Sequence, residues 1–117
     1  MDPLAVTPQE AGARFRAALH SGDPAGAASL FARDGCLVTP DATVIRGRES
    51  IRPVLAQLVE LAPAVEPLTM LVAGTVAFAR ERWTLGGGGD AATFSTAVLQ
   101  LVEGGWKLTI ADPWGRF

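Results

Sequence analysis

His20, Asp41 and Asp112 are the side chains of this sequence best suited to moving protons. A histidine titrates near ~6.5 and serves as a proton carrier at neutral pH. His20 also sits where a helix ends, and a cation there complements the helix dipole. Asp112 stands beside Pro113 and Trp114. A carboxyl against apolar walls has a raised pKa and can exchange protons near neutral pH. The same carboxylate can instead accept backbone N–H groups and close a turn at Pro113. Gln100 is the odd polar residue within 97–102. A three-residue Glu103-Gly104-Gly105 loop puts it opposite Leu108, on the face of Asp112. A two-residue Gly104-Gly105 loop puts it on the other face, because strand side chains alternate.

Other chemistries find little support. A lone histidine, with no H-x-x-x-H or C-x-x-C spacing, argues against a metal site. No cofactor motif is present. Cys36 has no partner for an internal disulfide and reads as a small hydrophobe opening a strand. The Gly86–Gly89 run lacks the lysine and the strand-to-helix context of a phosphate loop, so it reads as a hairpin connection. Arg80 and Arg82 share one face of their strand and Glu81 takes the other. Cross-strand pairing in water is the ordinary role for such arginines. Facing a pocket, they would select an anion. Trp83, Trp106 and Trp114 are packing residues, with two of them placed to line a pocket or a dimer surface.

These residues need elements to position them. The chain has 117 residues, 49% of them hydrophobic, and a net charge of -2. That is one domain, 1–117, apolar enough to fold and not basic enough for nucleic acid. The longest apolar stretch is far short of a membrane span. Residues 1–8 have no basic, apolar leader pattern, so a soluble cytoplasmic protein is expected.

Thr7-Pro8-Gln9-Glu10 is a capping box that opens a first helix, stopped at Ser21-Gly22. Asp23-Pro24 opens a second, with Ala27, Leu30 and Phe31 on its apolar face and its end at Asp34-Gly35. Short strands follow at 36–39 and 43–46. Gly47 starts a third helix bearing Ile51, Val54, Leu55, Leu58 and Val59 on one stripe. The rest is an antiparallel meander over about 65–73, 75–85, 91–102 and 106–112. Val76 and Phe78 make one face of the meander apolar, and Trp83 and Leu85 the other. Both faces therefore need cover. Helices can supply one, and a second subunit is the simplest cover for the other. The order α-α-β-β-α-β-β-β-β is an α+β fold.

That order, together with particular residues, resembles the nuclear transport factor 2-like superfamily, which includes ketosteroid isomerases, SnoaL-like cyclases and limonene epoxide hydrolases. The matching residues are Ala18-Leu19-His20-Ser21-Gly22-Asp23, then Leu30-Phe31-Ala32-Arg33-Asp34-Gly35. Val44-Ile45-Arg46-Gly47-Arg48-Glu49-Ser50-Ile51 and Gly105-Trp106-Lys107-Leu108 follow, with Asp112-Pro113-Trp114-Gly115 at the end. The resemblance spans nearly the whole chain. It implies a cystatin-like cone: a strongly curved antiparallel sheet wrapped around three helices from the N-terminal half, with a hydrophobic pocket at its open end.

The resemblance also argues against steroid isomerisation. Phe15 stands where those enzymes carry a tyrosine donor, and Thr39 stands at the position of their base. The region 97–99, where their second acid lies, is apolar here. Two readings lead, ahead of a third in which the sheet face is an adaptor surface for another protein. One is SnoaL-like general acid/base chemistry on a small apolar substrate, with Asp112 carrying the proton and His20 and Asp41 assisting. The other is a non-catalytic ligand-binding or dimerisation module. Phe15, Thr39, Trp83, Gln100 and Trp114 are the expected ligand-binding residues in either case. The expected partners are a small apolar molecule and a second copy bound through the sheet, with neither nucleic acid nor membrane.

Overall fold

The computed structural model of the chain describes residues 4–84 and 92–116. It contains three helices, α1 (Pro8–His20), α2 (Pro24–Ser29) and α3 (Arg48–Glu60). The six strands are β1 (Phe31–Val38), β2 (Val44–Arg46), β3 (Ala64–Ala73), β4 (Val76–Thr84), β5 (Ala92–Val102) and β6 (Gly105–Asp112). The Gly86–Gly89 connection lies outside the described residues.

Local chemistry accounts for the helix starts. Thr7 Oγ1 accepts the N–H of Glu10 at 3.0 Å, and Pro8 occupies the first helical position. The Glu10 carboxylate reaches back to the N–H of Val6, also at 3.0 Å. Asp23 Oδ1 accepts the N–H of Gly26 at 2.9 Å and opens α2. At α3 the backbone itself turns: Gly47 has φ 90° and ψ 139°, its N–H donates to Gly35 O, and its carbonyl accepts from Ile51. That backbone region is essentially restricted to glycine.

The second helix is shorter than its sequence pattern suggests. It ends at Ser29, and Leu30 and Phe31 leave it for the sheet. Leu30 O accepts the N–H of Leu108 at 2.8 Å, and Phe31 pairs with Leu108. Phe31 becomes fully buried there. Tertiary pairing and burial outweigh the weak preference of a six-residue helix to continue. Strand β1 accordingly starts five residues earlier than the spacing predicts.

The strands form one sheet in the order β2-β1-β6-β5-β4-β3. Every neighbouring pair is antiparallel except β1 and β6, which run parallel. The register shifts between Pro67 and Thr69 in β3, between Val98 and Leu99 against β6, and between Phe31 and Cys36 in β1. Such bulges bend strands and deepen twist, and here the six-stranded sheet is curved and unclosed. The element order predicts the α+β class and the family resemblance implies the cone, and both are found, with the three helices set against one face.

The inner face is built on alternation. Ala77, Ala79, Glu81 and Trp83 of β4 point inward, with Ser95, Ala97 and Leu99 beside them on β5. They pack with Phe15 and Leu19 of α1, Phe31 and Leu37 of β1, and Ile51, Leu55 and Leu58 of α3. Replacing Gly47 by alanine should destabilise the fold by about 1–3 kcal/mol, because a Cβ is strained at that φ. Urea unfolding of G47A against the parent protein measures this.

Candidate functional site

Between α1 and the inner face of β3–β6 lies a cavity of about 20 Å³. That is room for about one water molecule. Phe15, Met70, Ala97, Leu99 and Leu108 supply much of its apolar wall. This chain's own side chains fill most of that cavity, and a shallower groove of about 310 Å³ adjoins it, sharing Arg16, Met70, Ala79 and Glu81.

Polar groups punctuate that wall. Arg16 of α1 donates from Nη1 to Glu81 Oε2 at 3.0 Å, linking helix to sheet beside the cavity. Both side chains are largely withdrawn from water. An ion pair in such a place is worth more by what its rupture would cost than by what its formation adds. Ser95 and Asp112, each 2% exposed, also line the cavity. So does Trp83, whose indole Nε1 is buried and meets no acceptor among the described residues. An unmade bond of this kind costs about 1–3 kcal/mol.

Phe15, Trp83 and Asp112 come together at this cavity; the other residues singled out from sequence stand elsewhere. Asp112 Oδ1 accepts the N–H of Arg116 at 2.9 Å, and its carbonyl accepts from Gly115. The carboxylate thus closes the turn after Pro113. His20 is exposed in the last turn of α1. Thr39 and Asp41 bond to each other in the β1–β2 turn, where the Thr39 hydroxyl donates to Asp41 Oδ1. That hydroxyl, helped by Thr43, holds the exposed Asp41 carboxyl below its ordinary pKa. Trp114 packs on the core from its rim, half-buried.

Gln100 takes neither of the two arrangements the loop length suggests. Val102 pairs with Gly105, so the turn is Glu103-Gly104, and both residues have positive φ, as a two-residue hairpin turn requires. Gln100 then pairs with Lys107, on the outward face, where Thr109 Oγ1 donates to its Oε1. The extra residue in β6 at Thr109 changes the parity beyond it, so Thr96 pairs with Asp112.

Arg16, Glu81, Ser95 and Thr96 are polar cavity residues that sequence reasoning did not place at a site. A signal existed for Glu81. It shares strand parity with Ala77, Ala79 and Trp83, the buried set of β4, which is an unusual place for an unpaired carboxylate. The flanking Arg80 and Arg82 are exposed on the other side. Among the described residues, no group of three or more His, Cys, Asp or Glu side chains is placed to hold a metal ion. No described helix is long and apolar enough to cross a membrane.

Residues 13–109 match the family model of the SnoaL-like domain. Three solved structures are similar in fold. A candidate calcium/calmodulin-dependent protein kinase type II association domain from Thiobacillus denitrificans superposes with a TM-score of 0.78 at 21% identity, covering 96% of this chain and 98% of its own. A candidate ketosteroid isomerase from Shewanella frigidimarina gives 0.76 at 20%, covering 87% and 89%. A protein of unknown function with a cystatin-like fold from Nostoc punctiforme gives 0.72 at 19%, covering 93% and 92%. At these identities the likeness is one of fold. No curated protein is significantly similar in sequence.

The Arg16–Glu81 pair should be costly to break from one side. Glu81→Ala leaves a guanidinium at the cavity wall and should destabilise the protein by about 2–3 kcal/mol. Replacing both partners, Arg16→Met with Glu81→Leu, should recover most of that loss in thermal unfolding.

Proposed function

Because the chain belongs to the SnoaL-like domain family, we propose that its cone interior binds a small apolar molecule carrying one hydrogen-bond acceptor. The observation that carries this reading is the buried Trp83 Nε1–H. It lines the cavity and lacks an acceptor among the described residues, so a ligand carbonyl, ether or epoxide oxygen there would satisfy it. Ser95 stands on the same wall. The 20 Å³ cavity admits such a molecule only if a wall side chain withdraws. Met70, unbranched and half-exposed on β3, has the rotatable bonds to do so.

Binding without acid/base catalysis is the reading we favour. The two carboxylates at the cavity are both engaged: Glu81 by the Arg16 guanidinium and Asp112 by the Arg116 N–H. General base catalysis requires a carboxylate within reach of the proton it removes. A thermal-shift panel of small ketones, epoxides and carboxylic acids tests the proposal. The expected result is a ligand that raises the melting temperature of the parent protein and has little effect on Trp83→Phe, which keeps a ring but removes the N–H. A ligand that stabilises both proteins equally would sink the role of the indole. Turnover that is lost in Asp112→Asn would restore the acid/base reading.

We also propose that a second copy covers the outward face of the sheet. Leu71, Phe78, Val98 and Ile110 face outward in one continuous cross-strand row over β3, β4, β5 and β6. Leu71 is 63% exposed, Phe78 38% and Ile110 44%. The row itself bears no charge; further along the same face of β3 and β4 stand Arg80 and the pair Glu66 and Arg82. A two-fold contact of this face with itself would bury apolar on apolar and set opposite charges within reach. In sedimentation velocity the parent protein should run as a dimer and Phe78→Glu as a monomer with unchanged far-UV circular dichroism. A monomeric parent protein would end this reading.

A further inference from the structure

On the side of the helices that carries α2 lies a groove of about 850 Å³, distinct from the cone cavity. It is lined by α1, α2, the first turn of α3 and the start of β6. Three cations stand in its wall, Arg14, Arg48 and Lys107, against a single carboxylate, Asp23. The protein as a whole has a net charge of -2, so this concentration of positive charge runs against its surroundings.

The local acids are already committed. Asp23 Oδ1 caps α2 through the Gly26 N–H, and Glu10 pairs with Arg14. Arg48 and Lys107 form no ion pair among the described residues. Their bonds go to neutral carbonyls. Lys107 Nζ donates to Ser29 O at 3.0 Å, and the Arg48 guanidinium donates through two nitrogens to Phe31 O at 2.7 and 3.2 Å. The carbonyl between them, Leu30 O, takes the N–H of Leu108. Three successive carbonyls at the α2–β1 junction therefore hold two cations on either side of one strand contact. A carbonyl orients a cation without neutralising it.

Burial, with the positive charges of Arg48 and Arg14, lowers the pKa of Lys107 below that of a free lysine. The three cations thus feel one another, and an anion between them relieves that repulsion. The remainder of the groove includes apolar surface from Leu4, Ala5, Leu30 and Trp106. Its size falls within the range of small-molecule sites.

We propose that this groove binds small organic anions, with Arg48 and Lys107 holding an oxyanion head and Leu4, Ala5, Leu30 and Trp106 receiving an apolar body. The head is a carboxylate or a phosphate monoester, groups that arginine and lysine recognise by charge-assisted hydrogen bonds.

Isothermal titration with hexanoate, hexyl phosphate and hexanol tests the proposal and separates the two head groups. At least one of the two anions should bind saturably and at least roughly tenfold more tightly than hexanol, with an affinity that falls as salt is raised. Lys107→Gln, which keeps a donor for Ser29 O, should weaken that anion by roughly tenfold. Arg48→Lys should weaken it as well while preserving the fold. Trp83→Phe, in the cone cavity, should leave it unchanged, so the two sites are read separately. Absence of binding by both anions, equal binding of hexanol, or indifference to Lys107→Gln would overturn the proposal. Loss of binding in Trp83→Phe alone would assign the anion to the cone.

Discussion

Phe15 of α1 and Phe31 of β1 meet edge to face with their centroids 5.7 Å apart, over a sheet face made largely of small residues. The rest of the structure follows from that contact. Ala77 and Ala79 of β4, Ala97 of β5 and Ala111 of β6 hold the sheet surface low. The two rings, with Leu99 and Leu108, then fill the concavity almost completely. A ring pair contributes about 0.5–1.5 kcal/mol beyond the area it buries. It also fixes how closely the first helix approaches the sheet, and so how little space remains within the cone. Larger side chains at the alanine positions would push the helix away, and smaller ones at 15 and 31 would open a pocket.

The polar chemistry of the molecule is arranged around this apolar core. At its edge, Arg16 and Glu81 neutralise each other and tie the helix to β4. The Asp112 carboxylate is turned to the backbone of the C-terminal turn. Trp83 contributes a polar atom to the interior without an acceptor among the described residues. The balance is different on the α2 side. There Arg48 and Lys107 are held by carbonyl oxygens, which satisfy hydrogen-bond geometry and leave positive charge in place. One interior thus lacks an acceptor and one groove lacks negative charge, and these are different kinds of incompleteness with different complements.

Much of the architecture was legible in the residues. The Thr7-Pro8 and Asp23-Pro24 helix starts, the glycine at 47 and the alternating strands of the meander each depend on nearest-neighbour chemistry, and each is where that chemistry puts it. The end of α2 was not legible, because Leu30 and Phe31 suit a helical face as well as a strand. Their pairing with Leu108, far along the chain, decided the matter. The face of Gln100 was similarly hidden. It depends on the two-residue turn at 103–104, and its relation to Asp112 depends further on a bulge at Thr109 that no local pattern announces. The cavity was legible in part. Phe15, Trp83 and Asp112 line it, whereas Thr39, Asp41, His20, Gln100 and Trp114 stand apart from it.

By itself the sequence determined the helix caps, the order of elements and the two-sided apolar character of the sheet, because these rest on local hydrogen bonds and on the period of the pattern. It also carried the sign that Glu81 belongs to the inward row, since strand parity is a counting rule. The size of the inner cavity, about the volume of one water, came from the three-dimensional packing, because it is a small difference between a sheet's curvature and the bulk of side chains from α1 and β3–β6. The tertiary structure likewise decided the company each charge keeps. Arg16 meets Glu81 across 65 residues of chain, and Lys107 reaches Ser29 across 78, separations over which no sequence pattern specifies a partner.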